Sequence, residues 1–349
     1  MINKEFWKEK KVLVTGHTGF KGSWLTTMLL ELDANVTGIS LAPYTKPAMF
    51  EALKLAEKIT HYETDIRDYE AIKKIFVKTQ PEIVIHLAAQ PIVRLSYDDP
   101  LWTYTTNTIG TANILQAIKE TNTNKVRSAV FITTDKVYEN KEKEIAYKED
   151  DELGGYDPYS ASKACAELII KSYRRAFKIP VASARAGNVI GGGDWSQDRI
   201  IVDIIRAVFE QKEKVVLRRP EAIRPWQHAL EPLTGYLLLA EKQWGEQGGE
   251  AWNFAPLKEN CISVEALTKL GLETISMGEY DVERDDAKHE ATLLMLDSSK
   301  AEKELGWKQQ LNINEAIIWT FDWYKKYYAG KDMYAFTKKQ IEDFLKETK

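Results

Sequence analysis

A tyrosine and a lysine four residues apart, in Tyr159-Ser160-Ala161-Ser162-Lys163, carry the most specific chemistry in this chain. Asp157 is a candidate N-cap and Pro158 suits the first helical position, which places both side chains on one helix face. A phenol titrates near ~10 and is a weak base at neutral pH. A nearby ammonium favours the phenolate. Tyr159 is therefore expected to remove a hydroxyl proton while hydride leaves the same carbon. The spacing also occurs by chance on helix surfaces. It gains weight from its place in the chain, after a glycine-rich turn, four strands and the polar loop Thr133-Thr134-Asp135-Lys136.

The turn is Thr15-Gly16-His17-Thr18-Gly19-Phe20-Lys21-Gly22, between an apolar run and a helical pattern. Glycine permits a tight turn and close approach of the backbone to a pyrophosphate, and the following helix offers unpaired N–H groups. Gly16, Gly19, Phe20 and Gly22 are thus expected to hold a dinucleotide, with Lys163 on the nicotinamide ribose. Ser40 and Leu41 stand where an acid often binds the adenosine ribose, and no Arg adjoins them to hold a 2′-phosphate. The choice of NAD over NADP therefore leans on absence alone. Asp65, followed by Ile66, is expected to meet the adenine amino group, and Asp68 to cap a helix. Leu87, Ala88 and Ala89 end a strand with small residues that let a cofactor lie near the backbone, and Thr133 ends the next strand.

Short apolar runs alternating with helical patterns must position these groups. Strands are expected at Val12–Val14, Asn35–Ile39, Ile83–Leu87, Ala129–Thr133, Val181–Ala184 and Ala251–Ala255. Helices are expected at Trp24–Leu32, Asp68–Thr79, Thr105–Glu120, Tyr159–Phe177, Ile201–Glu210 and Pro232–Gln243. This alternation implies an α/β fold: a Rossmann-like, doubly wound parallel sheet, with a smaller interleaved C-terminal substrate-binding domain. Residues 1–187, with return segments around 225–255, are read as the NAD-binding domain, and 188–349 as the other.

The 349 residues are 44% hydrophobic and 29% charged, an ordinary globular composition. A net charge of −4 gives no global basic field, so neither nucleic acid nor a membrane surface is an expected partner. Cys165 and Cys261 cannot form a disulfide framework, and Cys165 reads as core filler. No apolar stretch reaches the ~20 residues of a membrane span, and no signal peptide is evident; the expected location is cytoplasmic. His61, His86 and His289 have no metal-ligand spacing, so no metal is expected.

At these residues the sequence resembles the extended short-chain dehydrogenase/reductase family. Within it, His17–Trp24, Gln90-Pro91-Ile92-Val93-Arg94, Thr134–Tyr138 and Arg224-Pro225-Trp226-Gln227-His228 are similar to the CDP-glucose 4,6-dehydratases. The resemblance implies CDP-glucose as substrate. Its C4 would be oxidised by NAD, water lost across C5 and C6, and hydride returned to C6. The product would be CDP-4-dehydro-6-deoxy-D-glucose, a precursor of 3,6-dideoxyhexoses in bacterial surface polysaccharide. Thr134 would bond the C4 oxygen and Asp135 protonate the departing C6 hydroxyl. In related dTDP-glucose dehydratases a Glu takes the C5 proton; Lys136 stands there in this chain. Lys136 would act as a neutral base or as a cation stabilising an enolate. Gln90, Arg94, Ser96 and Asn188 would meet the substrate. Arg199 and Arg224, with Arg218 and Arg219 nearby, would neutralise its diphosphate. Asp194, Trp195 and Trp226 would shape the base pocket, and His228 is read as a packing residue. A homodimer or homotetramer is implied through the helices at Thr105 and Tyr159. The rival readings are a nucleotide-sugar 4-epimerase, which needs no acid at C6, and a non-enzymatic dinucleotide sensor.

Overall fold

The computed structural model describes residues 1–121, 125–141, 146–244, 249–283 and 294–347; His289 lies outside them. Seven strands form one parallel sheet: β1 (Lys11–Thr15), β2 (Asn35–Ser40), β3 (Thr60–Glu63), β4 (Ile83–His86), β5 (Ser128–Ile132), β6 (Val181–Ala186) and β7 (Ala251–Phe254). Their spatial order is β7-β6-β5-β4-β1-β2-β3, and each neighbouring pair is parallel. The order reverses direction between β1 and β4, where doubly wound sheets open a crevice at their carboxyl ends.

The central strands are mostly apolar on both faces, and alternation divides their side chains between two cores. Val12, Val14, Ile83, Ile85, Val130 and Ile132 face one side, with α1 (Phe20–Glu31), α5 (Leu230–Gln243) and α6 (Ile313–Tyr328). Leu13, Ile39, Val84, Ala129 and Phe131 face the other, with α2 (Tyr69–Thr79), α3 (Gly110–Thr121) and α4 (Pro158–Phe177). Asp68 caps α2 through Ala71 N–H, and Asp157 caps α4 through Ser160 N–H with Pro158 in the first turn, both as the sequence implies.

Two differences concern the helices. The segment expected to begin at Thr105 begins at Pro100, capped by Asp99, and passes through a π-helical turn at Thr105–Ile109 before α3. Such turns carry one extra residue per turn and often mark functional sites; this one buries Asn107. Cys165, expected in the core, is exposed. The buried face of α4 runs through Ser160, Lys163, Ala164, Glu167 and Ile170, and Cys165 lies one step off it.

Beyond β6 the chain makes short strand pairs beside the crevice. Val189–Ile190 pairs with Gln227–His228, and Ile223–Pro225 with Cys261–Ser263. It then returns to the sheet as β7 against β6. Trp195, expected at a base pocket, is instead 1% exposed and packs on Trp323, Tyr324 and Tyr327. A separate cavity lined by Lys11, Asn35, Thr60, Lys78 and Pro81 lies at the amino ends of β1–β3, on the opposite edge of the sheet.

Candidate active site

The glycine turn is built by exclusion. Gly16 has φ +74°, and a Cβ there would sit 2.7 Å from Ala88 N. A Cβ on Gly22 would sit 2.1 Å from Gly16 O. Both positions therefore require glycine. The turn is also tied to the next strand end: Thr15 Oγ1 lies 2.6 Å from His86 Nδ1 and accepts from Ala88 N–H at 3.2 Å. No side chain caps the N-terminus of α1, which begins after Gly19, so its first N–H groups face the crevice with a partial positive charge.

At the carboxyl ends of β5 and β6, Thr134, Asp135, Tyr159, Lys163 and the Arg199 charge come together. Thr134 Oγ1 donates to Asp135 Oδ1 at 2.8 Å, and Thr134 stands close enough to the Tyr159 phenol to pull its pKa down. Asp135 is 6% exposed, and burial pushes its carboxyl above the usual range against the opposing pull of Lys136 and the Thr134 bond. Its carboxylate fits only because residue 187 is glycine: a Cβ there would stand 2.9 Å from Asp135 Oδ2. Burial pushes Tyr159 up to about 12, Thr134 and Arg199 pulling it back and Asp135 adding to the rise. The Lys163 ammonium does not lower it as the i, i+4 spacing implies. Its Nζ is turned toward β5, donating to Ile132 O at 3.2 Å. Burial brings Lys163 itself down to about 7, with the Lys21 charge adding and Glu167 opposing.

A buried ion pair holds this cluster in place. Arg185 Nη2 meets Glu167 Oε2 at 2.8 Å and Arg185 Nε meets Oε1 at 3.0 Å, with both side chains under 5% exposed. Glu167 also accepts from Thr133 Oγ1 at 2.5 Å and Ser183 Oγ at 2.7 Å. One carboxylate on α4 thereby joins the ends of β5 and β6, one turn along from Lys163. Asn107 makes a second tie: its Nδ2 donates to Ser162 Oγ at 2.9 Å and its Oδ1 accepts from Gln90 N–H at 2.7 Å.

The other expected residues divide. Ile66 is buried against Gly110, and Asp65 precedes it after the end of β3. Burial opposes ionisation of Asp65, but bonds from Arg67, at 2.6 and 2.9 Å among others, hold the carboxyl below its usual range. Leu87, Ala88 and Ala89 are half-buried at the end of β4. Asn188 is half-buried after β6, and Arg224 is half-buried on the strand pairing with Cys261–Ser263. Arg94 is exposed and paired with Asp198 at 2.9 Å. Gln90 and Ser96 are buried and bonded within the protein. The Gln90 amide donates to Thr103 Oγ1 at 2.9 Å, and Ser96 is fully buried with its hydroxyl donating to Val93 O at 2.6 Å. Lys136 is exposed, and its charge reaches the Asp135 carboxyl. His228 is a packing residue: it lies edge-on to Trp24, and burial lowers it to about 3. His86 is similarly lowered to about 3, by burial and then by the Lys163 charge. Among the described residues no group of His, Cys, Asp or Glu could hold a metal ion.

The residues missed by the sequence reading are Lys21, Asn107, Glu167, Gly187 and Tyr236. Only Glu167 had an available signal, being an acid four residues after Lys163 on the buried face of α4.

Residues 13–319 match the family model for GDP-mannose 4,6 dehydratase. The chain is 42% identical to the CDP-glucose 4,6-dehydratase of Salmonella typhimurium, covering all of this chain and 99% of that one. It is 29% identical to the dTDP-glucose 4,6-dehydratase of Haemophilus influenzae, over 90% of this chain and 97% of the relative. Among solved structures, a dTDP-glucose 4,6-dehydratase of Streptomyces venezuelae with NAD bound superposes with a TM-score of 0.78 at 23% identity, covering 92% of this chain and 98% of that one. A UDP-glucose 4-epimerase of Thermotoga maritima with UDP-glucose gives the same TM-score, 0.78, at 24% identity, over 90% and 99% of the two chains. The structural likeness thus extends across dehydratases and epimerases alike.

Proposed function

Because the chain belongs to the GDP-mannose 4,6 dehydratase family, we propose that it is an NAD-dependent hydro-lyase converting CDP-glucose to CDP-4-dehydro-6-deoxy-D-glucose and water. The observation that carries this reading is the buried carboxyl of Asp135, hydrogen-bonded to the Thr134 hydroxyl that neighbours Tyr159. An epimerase needs the tyrosine but has no use for an acid beside it, and a sensor needs neither.

NAD fits the residues present. The Gly16–Gly22 turn leaves the space that side chains would fill, and the bare N-terminus of α1 suits a pyrophosphate. Gly16, Gly19, Phe20 and Gly22 would hold the diphosphate, Asp65 and Ile66 the adenine end, and Leu87, Ala88, Ala89, Thr133 and Lys163 the nicotinamide riboside. Bound there, NAD supplies a hydride acceptor for C4 and a hydride donor for C6. Gly22→Ala is expected to weaken NAD binding by more than about tenfold, since one lost contact of 1.4 kcal/mol already does so. NADH fluorescence titration measures it.

The protein's own part is proton management. With its phenol near about 12, Tyr159 serves better as a relay than as a standing phenolate. It takes the C4 hydroxyl proton as its own passes to Thr134 Oγ1 and that of Thr134 to the Asp135 carboxylate. Asp135, whose affinity for a proton burial has raised, then gives it to the departing C6 hydroxyl. The proton removed at C4 leaves in the water formed at C6. Arg199, Arg224 and Asn188 would hold the nucleotide diphosphate, in a substrate-binding portion after residue 187. Incubation with CDP-glucose tests the reading: a mass loss of one water and an alkali-induced keto-sugar absorbance are expected. A 4-epimer of unchanged mass would refute it.

Among the described residues no helix is long and apolar enough to cross a membrane. A cytoplasmic homodimer through α3 and α4 completes the proposal. Leu101, Ile109 and Leu168 are 77%, 51% and 57% exposed along these helices and the segment leading into them, an apolar surface that a two-fold partner would cover. Sedimentation giving a monomer mass would remove that part.

A further inference from the structure

We infer that Tyr138 is the positioning residue of the acid: its hydroxyl, held between β6 and β7, fixes the turn that carries Asp135 against the helix that carries Tyr159. This inference rests on the dehydration reading above. Residues Asp135–Val137 form one short helical turn between the end of β5 and Tyr138. The turn's own hydrogen bonds are long: Val137 N–H to Thr134 O and Tyr138 N–H to Asp135 O are both 3.4 Å, beyond the usual N–H···O range. Its exit pairs with residues 152–154, through Glu139 N–H to Glu152 O and Gly154 N–H to Val137 O at 2.9 Å each. That partner segment is itself a loop, outside the seven-stranded sheet. The Tyr138 side chain ties the turn to the sheet. It is buried, and its hydroxyl accepts from Arg185 Nη1 at 2.7 Å and donates to Asn253 Oδ1 at 2.8 Å. Arg185 and Asn253 stand opposite each other on β6 and β7.

Both partners of the hydroxyl are themselves held. Asn253 Nδ2 donates to Tyr147 O at 2.9 Å and to Asp297 O at 3.2 Å. The Tyr147 ring stacks on that of Tyr138 with centres 5.2 Å apart. Arg185 is bidentate to Glu167, which lies on α4 one turn after Lys163. The helix bearing Tyr159 and the turn bearing Asp135 therefore share one anchor, the Arg185 guanidinium. Val137 and Tyr138 also pack with Ala164, Ala255 and Leu296, but apolar burial is non-directional. A hydroxyl that accepts from one strand and donates to the next fixes direction as well as depth. Little movement is tolerated at the acid. Its Oδ1 receives the Thr134 hydroxyl at 2.8 Å, and its Oδ2 stands 2.9 Å from where a Cβ on residue 187 would be. A drift of about 1 Å in the turn would break the Thr134 bond, and a misplacement of that size costs ~10²-fold in rate.

The test compares full-length Tyr138→Phe, Asp135→Asn and the double variant with the wild-type protein, each given NAD and CDP-glucose. Phenylalanine keeps the ring and its stacking and removes only the hydroxyl. Tyr138→Phe is expected to lower kcat for keto-sugar formation by ~10–10²-fold. Its KM for CDP-glucose should stay within about threefold of wild type, as for a loss felt in the transition state alone. Added to Asp135→Asn, it should cost less than about twofold more, because a residue that acts through the acid then has nothing left to position. The low-pH limb of the rate should move as well. Burial holds the Asp135 carboxyl above its usual range. A loosened turn admits water, so in Tyr138→Phe the limb should shift to lower pH, while Lys136, Lys21 and Tyr159, whose charges reach that carboxyl, are unchanged. If Tyr138→Phe fails to fold, Asn253→Ala removes the acceptor of the same hydroxyl and is expected to act in the same direction. The assignment is overturned if kcat stays within about threefold of wild type, if KM rises in its place, or if the losses from the two substitutions multiply. A low-pH limb that does not move overturns it equally. Absence of keto-sugar from the wild-type protein would instead overturn the dehydration reading, and with it the acid that Tyr138 holds.

Discussion

Tyr159→Phe is expected to abolish the appearance of NADH on mixing with CDP-glucose and NAD, with a loss of ~10²–10⁴ in the rate of C4 oxidation. The aromatic ring and its packing survive this change; only the oxygen that links the substrate to Thr134 is removed. Asp135→Asn is expected to slow the same step, because an amide cannot receive the proton that Thr134 passes on. That outcome distinguishes a relay from a standing phenolate, for which Asp135 would matter only later. The pH dependence distinguishes them as well. A tyrosine near about 12 has no limb at neutral pH. A relay ending on a carboxylate must lose rate as pH falls through the Asp135 pKa, which burial has raised above the usual carboxylate range. Stopped-flow absorbance of NADH formation against pH checks both. C4 oxidation by Tyr159→Phe at a rate near wild type would leave the mechanism without its first step.

Glu167→Ala is expected to be the most destabilising single substitution near the site, costing ~3–5 kcal/mol. The change strands the Arg185 guanidinium, 3% exposed, without its bidentate partner. It also leaves the Thr133 and Ser183 hydroxyls unsatisfied. Arg185 keeps only Tyr138 Oη at 2.7 Å and the Glu149 carbonyl at 3.0 Å, which do not neutralise a buried charge. Chemical denaturation of the variant measures the loss. Replacing both partners with apolar residues should cost less than removing one, because neither leaves an uncompensated charge.

What was legible in the sequence was what is local. The Asp157 cap with Pro158 and the three glycines each specify their geometry within one turn of helix or loop, and the structure forms them as the sequence implies; the Tyr159–Lys163 spacing fixes the shared helix but not the coupling, since the Lys163 amine turns to Ile132 O. The central strand runs were legible because a sheet buried on both faces is mostly apolar there, whereas the edge strand β3, Thr60–Glu63, is polar and part-exposed. Interactions that depend on tertiary distance were not legible. Lys21 reads as a surface lysine until α1 buries it within electrostatic reach of Asp135, 114 positions later in the chain. The exposure of Lys136 was not legible either: the short helical turn at Asp135–Val137 leaves it at the surface, with its charge still within reach of Asp135. The resemblance implies Gln90 and Ser96 as substrate ligands, but both are buried and bonded inside the protein. Their partners, Thr103 and the Val93 carbonyl, lie in the segment that follows, whose fold no local rule shows.

In β1, Leu13 points into one apolar interior while Val12 and Val14 point into the other. Inserting a single amino acid ahead of Thr15 would exchange the two sets, as pleated chains reverse face at each step. Thr15 would swing off His86, and the bend at Gly16 would no longer meet Ala88. The reading frame of five central residues thus governs both interiors and the cofactor's seat together, so damage to one cannot be confined from the other.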